Sequence, residues 1–468
     1  MANREKSILI GNGFNINFGG KAYTNDYIIK RIVFNARANR YEALFNGEIS
    51  GDEIANIFTR LATWANDISA GKYDAIMPEE EKLILKDFKE RYNWKLSHYY
   101  EVGLEDWFFI LHVYFLQNAD IADNWSSAKQ GFERMMLDAI YNDGDIQSLY
   151  KGIGKPVKRW LLGFSKVFTL NYDNNVEDLI KCPVFHLHGD FRTLANSEDP
   201  HTLWGYIRHQ KGESIEIPAG LEHCFCNALF DYAGEHKYKI AYAFEQGERG
   251  LKALEESGVP LQYFPAPIED LMRVHREHPE LAFSCNYHFT ELSELTGELH
   301  IIGMSPNNDG HIFKLIDESK IDKIVFYYYS EGETKRQLPV HQKVEYKSAK
   351  ELWKQLKAAP KQYNCNYHIP KSDEADRFFE LFNILSGDKV SRKDVIANAN
   401  SIPEFRAQEL CKTVVNKLKL LNEAGAPKDE QELQRQFREI SRMALRNGVL
   451  PPALYLHVVM YMSTNKLS

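Results

Sequence analysis

Three short apolar runs, each cut off by glycine or by a polar residue of catalytic type, constrain this chain more than any other feature. They are Ile8-Leu9-Ile10-Gly11-Asn12-Gly13-Phe14-Asn15, Phe168-Thr169-Leu170-Asn171-Tyr172-Asp173 and Phe185-His186-Leu187-His188-Gly189-Asp190. Runs this short and this apolar fit strands buried on both faces of a parallel sheet. In an open sheet of that kind the carboxyl ends of the strands face the ligand crevice, at the point where the strand order reverses. One such segment carries little weight. Three in this order point to a nucleotide site with an Asn and a His beside it.

The 468 residues suffice for two or three domains and a large core. Apolar residues at 44% and charged residues at 26% are those of a globular protein. A net charge of −8 argues against general nucleic-acid or membrane binding, which needs clustered Lys and Arg. Met1 to Ser7 is polar and the apolar run behind it is short, so no secretory signal is expected. The most apolar stretch, Trp107 to Leu116, is about half a membrane span and reads as a buried helix. A cytoplasmic protein is expected. The six cysteines, at 182, 224, 226, 285, 365 and 411, lack C-x-x-C spacing and read as reduced thiols. His223 beside Cys224 and Cys226 is a poor start for a tetrahedral site, and no zinc is expected.

From about 52 to 160 the pattern turns helical. Ile54, Ile57, Phe58, Leu61, Trp64 and Ile68 recur at three- and four-residue steps, and Glu81–Leu96, Leu104–Leu116 and Phe132–Tyr141 repeat the theme. Such a block is too long for a simple crossover and reads as an insertion capping the crevice. Strand signals resume at Lys166–Leu170 and Pro183–His188, then at Leu299–Gly303 and Lys323–Tyr329, with Asn308–Glu318 as the crossover helix between the last two. Beyond about 359 the chain reads as helical to its end, where Ser401-Ile402-Pro403-Glu404 carries a capping box. The expected architecture is α/β: a Rossmann-like parallel sheet with a large helical insertion in residues 1–358, and an all-helical C-terminal region in 359–468.

Each candidate residue has a functional and a structural reading. Gly11, Asn12 and Gly13 let the backbone turn tightly and approach a phosphate at the next helix, or form an ordinary strand–helix turn. Asn171 can orient a water or hold an amide, with Asp173 sharing that role, or the two can serve as helix cap and Asx-turn. His188 suits general-base work on a ribose hydroxyl, whereas His186, deeper in the same strand and on the same face by alternation, reads as structural. Gly303-Met304-Ser305 supplies a fourth strand end. Ser305 can bond phosphate or ribose, and Asp309 can accept from ribose hydroxyls or cap the following helix.

In order and kind, Gly11-Asn12-Gly13, Leu170-Asn171-Tyr172-Asp173, His188-Gly189 and Gly303-Met304-Ser305 resemble the motifs of the sirtuin family. The match looks best to the divergent sirtuin-like domains of bacterial antiphage defence, which hydrolyse NAD+. The Gly-Asn-Gly-Phe start and the Gly-Met-Ser-x-x-x-Asp segment are also similar to AbiH-type abortive-infection proteins. The resemblance spans residues 7–330 and leaves out the insertion and the C-terminal region. The four-cysteine zinc module of the lysine deacetylases is absent, and Asn12, Phe14 and Asn15 stand where those enzymes carry smaller residues.

The resemblance implies an NAD+ hydrolase acting in abortive infection, with Asn171 and His188 as the catalytic pair. In that scheme Asp173 contacts the nicotinamide carboxamide, and Gly11, Asn12, Gly13, Phe14, Asn15, Gly303, Ser305 and Asp309 hold the nucleotide. It also implies a homo-oligomer and leaves room for a partner such as a co-encoded ATPase. An AbiH-type protein processing another nucleotide and a non-catalytic NAD+-binding sensor are the alternatives.

Overall fold

The computed structural model describes residues 5–358, apart from 38, 46, 48, 195–201, 204–205, 207–216, 265, 282–286, 306–308 and 335–336. Met1–Lys361 form one compact unit. The expected helical region 359–468, with its Ser401–Glu404 cap, lies outside the described residues.

The sheet has six strands, all parallel: β1 Lys6–Ile10, β2 Lys166–Thr169, β3 Phe185–His186, β4 Thr296–Ile302, β5 Lys320–Tyr328 and β6 Lys343–Ser348, in the spatial order β3-β2-β1-β4-β5-β6. Ile8 lies beside Val167 on one side and His300 on the other, so β1 is central. The order reverses between β1 and β4. Crevices in open parallel sheets form beyond the strand ends at such a point.

Burial on both faces explains why the central strands are continuous apolar runs. Ile8, Ile10, Val167, Ile302 and Val325 face one core, and Leu9, Phe168, Leu299, Ile301, Ile324 and Phe326 face the other. The first core is closed by α7 (Lys155–Leu161), α8 (Asn175–Ile180) and α14 (Ala349–Gln355), the second by α9 (Gly234–Glu256), α11 (Phe289–Ser293) and α12 (Gly310–Glu318), while α10 (Ala266–Glu277) precedes α11 and α13 (Glu331–Thr334) follows β5.

The insertion is larger than its expected bounds of 52–160, because helices start immediately after β1. They are α1 Gly13–Gly19, α2 Asn25–Arg37, α3 Gly51–Ser69, α4 Lys82–Arg91, α5 Asp106–Gln117 and α6 Trp125–Tyr141. Helix α3 starts at a capping box, in which Ser50 Oγ accepts from the Glu53 amide and Glu53 accepts from the Ser50 amide. Ile54, Phe58, Leu61 and Ile68 then bury one face. Helix α5 is buried nearly all round, as its unbroken apolar sequence requires. Ile16 of α1 and Tyr172, just past β2, pack against this helical core, which places the insertion at the carboxyl edge of the sheet. No helix among the described residues is long and apolar enough to cross a membrane.

Candidate functional site

Two close approaches shape the strand ends where the order reverses. The Gly11 amide donates to the Ile302 carbonyl at 2.9 Å and the Gly13 amide to the Gly303 carbonyl at 2.8 Å, fastening the turn after β1 to the end of β4. A Cβ on Gly11 would lie 2.6 Å from the Gly303 carbonyl oxygen, and Gly303 itself sits at φ +72°, where a side chain is strained. The glycines of this turn therefore serve strand-to-strand contact, and their two amides are already engaged. Asn12 donates its carboxamide to the Tyr23 carbonyl at 3.0 Å. Phe14, expected at the nucleotide, is instead a core residue: it is buried against Phe18 and Trp353, because the first turn of α1 directs it onto the sheet face.

Past β2, Asn171 is buried and its Nδ2 reaches the Gly11 carbonyl at 3.4 Å. Its backbone amide is held by Thr169 Oγ1 at 3.1 Å, which fixes where the side chain leaves the strand. Asp173 is saturated by its neighbours. Oδ1 accepts from the Asn175 amide at 3.1 Å and from Asn175 Nδ2 at 2.5 Å, while Oδ2 accepts from Asn15 Nδ2 at 2.6 Å. This is the Asx-turn alternative, with the addition that it anchors Asn15. Burial raises the Asp173 carboxyl above its ordinary range against the pull of those donors. Asn15 Oδ1 stays buried with no partner. Asn17, which the sequence reading passed over, is in the same condition at both ends of its carboxamide.

His186 and His188 part company, contrary to the expectation of one shared face. The strand stops at His186, so alternation does not extend to His188. His186 lies between the Asn171 carbonyl and Glu177, each at 3.0 Å. Burial, the largest single influence, lowers its pKa, but Glu177, Asp190 and the Asn171 carbonyl together raise it above the ordinary imidazole value. The chain then turns at Gly189, φ +81°, where a Cβ would lie 2.3 Å from the Asn227 carbonyl oxygen. His188 thus comes to face α12, with its Nε2 3.0 Å from His311 Nε2.

His311 is the main site residue that sequence reasoning missed. It lies two positions beyond Asp309 in the first turn of α12, and one donor atom from each of His188, Asp309 and His311 falls within 4.8 Å of the others. Asp309 retains some contact with solvent, yet burial raises its carboxyl to about 7. Burial and the nearby Lys237 ammonium hold His188 well below the ordinary imidazole range and His311 at about 3. Lys237 is itself buried in α9 and ion-paired to Glu105, at the start of α5. Ser305 is exposed at the rim.

A second His–carboxylate cluster lies inside the insertion. Asp138 accepts Arg40 Nη2 at 2.7 Å and His223 Nε2 at 2.9 Å on Oδ1, and Arg40 Nε at 2.7 Å and the Tyr41 hydroxyl at 3.0 Å on Oδ2. With Asn35 Nδ2 also on Oδ2 at 3.3 Å, five donors occupy this carboxylate, and burial pushes the adjacent Cys224 thiol far up. Neither group offers a free donor set for a cation. Cys226, whose thiol burial raises to about 12, is likewise a packed thiol.

No protein-family model matches this sequence, and neither a curated protein nor a solved structure matches it at a significant level.

Proposed function

We propose that the chain is an NAD+ glycohydrolase, cleaving NAD+ to nicotinamide and ADP-ribose, and that it acts in abortive-infection defence against phage. The observation that carries the reading is the largely buried group of His188, Asp309 and His311 past the ends of β3 and β4, in a sheet whose order reverses between β1 and β4 and where Asn171, past β2, reaches the Gly11 carbonyl past β1. That order is the one used by Rossmann-like dinucleotide-binding sheets. Buried polar atoms without partners, Asn15 Oδ1 and the Asn17 carboxamide, support it. Such groups are costly to leave unpaired unless a ligand pairs them. The sirtuin-like order of the motifs supplies the chemistry.

In the reaction, the bond from ribose C1′ to the nicotinamide nitrogen breaks and its electron pair leaves with nicotinamide. A water oxygen bonds to C1′ and the water proton is taken up by a base. Asn171 orients the water or the amide near C1′, and His188, neutral in its buried setting, accepts the proton. Asp173 contributes by holding Asn15 rather than by touching the carboxamide, since its oxygens are occupied. Asp309 and Ser305 meet the ribose and phosphate side. Exclusion of bulk water by the insertion suits a step in which positive charge passes from the pyridinium to an oxocarbenium-like ribose as neutral nicotinamide leaves.

The test is nicotinamide release from NAD+ by wild type and Asn171→Ala over a range of protein concentrations. Release by wild type alone supports the reading. Turnover of ATP or GTP without NAD+ cleavage would move the chain to the AbiH-type alternative, and NAD+ binding without release would make it a sensor.

A further inference from the structure

We infer that His311 is the proton partner of His188, the two imidazoles forming one unit that shares a single bridging hydrogen. The inference rests on the reading of His188 as the base. The two Nε2 atoms are 3.0 Å apart, the rings are within 16° of parallel and their centroids are 5.2 Å apart. The centroid separation exceeds the nitrogen separation by nearly two full ring radii, so the nitrogens meet head-on along a common line. A cation bound tetrahedrally by both would sit off that line and hold the nitrogens about 3.3 Å apart. The alignment suits a hydrogen between two lone-pair positions.

Nothing locks the pair in one tautomer. His186 shows the fixed case: the carbonyl on Nδ1 and the carboxylate on Nε2 are both acceptors, so together they favour a ring that donates from both nitrogens. His311 Nδ1, by contrast, is buried with no partner, and a Cβ on Gly234 would lie 2.6 Å from it. When the shared hydrogen sits on His188 Nε2, His188 Nδ1 keeps its lone pair. As Nδ1 takes the proton released by water, the Nε2 hydrogen crosses to His311 Nε2, and His188 ends neutral. The charge passes to His311, where burial and Lys237 disfavour it and only the adjacent Asp309 offsets it, so it is held transiently and returned as the proton leaves. The other groups around the pair are Lys237 from α9, Glu105 at the start of α5, and Tyr172 beyond β2. The Phe289 ring packs beside His311. His311 is thus a positioning residue, acting through His188.

The experiment pairs ¹⁵N NMR of histidine-labelled full-length protein with the kinetics of His311→Gln, whose carboxamide can hydrogen-bond to His188 but cannot carry the proton away. The expected spectrum shows one protonated and one bare Nε2, joined by a common hydrogen that is lost in His311→Gln. Nicotinamide release by the variant is expected to fall ~10²-fold with a displaced pH profile, while stabilisation by NAD+ is kept. Two bare Nε2 atoms with a stoichiometric divalent metal, two independent titrations, or an unchanged pH profile in the variant would overturn the inference. The wild-type spectrum judges the pair even if NAD+ is not the substrate, so failure of the pair and failure of the proposed function are distinguishable.

Discussion

Two buried His–carboxylate clusters in this molecule have opposite characters. In the insertion, Asp138 is surrounded by Asn35, Arg40, Tyr41 and His223, and both of its oxygens are occupied by donors. At the strand ends, His188 and His311 are buried and Asp309 partly so, but His311 Nδ1 has no partner, and neither do Asn15 Oδ1 and the Asn17 carboxamide on α1. A satisfied buried network rigidifies a fold, whereas an unsatisfied one is a cost that the fold tolerates only for another purpose. The contrast is the basis for assigning a structural role to the first cluster and for proposing the second as the ligand site.

The contrast is open to experiment. Asp138→Asn leaves Arg40 and His223 without their anion, and urea denaturation is expected to show a loss of about 3–5 kcal/mol. A loss below 1 kcal/mol would deny this cluster its structural role. His188→Ala is expected to do the reverse, with little change in the denaturation midpoint and nicotinamide release down at least ~10²-fold.

The pH response sharpens the difference. Burial raises the Asp309 carboxyl from 3.8 to about 7, so between those values the native chain keeps a proton the unfolded chain has lost. Stability from this group therefore falls as pH rises across that window. Asp309→Asn is expected to gain on the order of 2 kcal/mol at pH 8, discounted for the solvent contact it retains, and nothing at pH 4. The lowered imidazoles of His188 and His311 act the other way, and stability falls as pH drops through about 6.5. The smallest effect belongs to the insertion surface. Ser50→Ala removes the cap of α3 at a cost of about 1 kcal/mol and should leave release untouched.

The strands buried on both faces were legible because burial forces an apolar run, as in Ile8–Ile10 and Ile324–Phe326. Strand β6, Lys-Val-Glu-Tyr-Lys-Ser, was not, because it lies at the sheet edge with its residues half-buried or exposed and needs no such run. Asn171, His188 and Asp309 stood out since each follows a strand signal. His311 did not, since one histidine in an amphipathic helix looks like any other and its partner lies 123 residues away. The loss of Phe14 to the core and the saturation of Asp173 depend on contacts with Trp353 and Asn15 that local spacing does not encode.

The central claim is that the groups at the strand ends are completed by NAD+. The most direct measurement is unfolding of wild type and Asn171→Ala with and without NAD+. At a hundredfold excess over the dissociation constant, NAD+ is expected to stabilise wild type by about 2.7 kcal/mol and the variant by clearly less. Equal stabilisation of both proteins, or stabilisation by ATP or GTP and not by NAD+, would contradict the account.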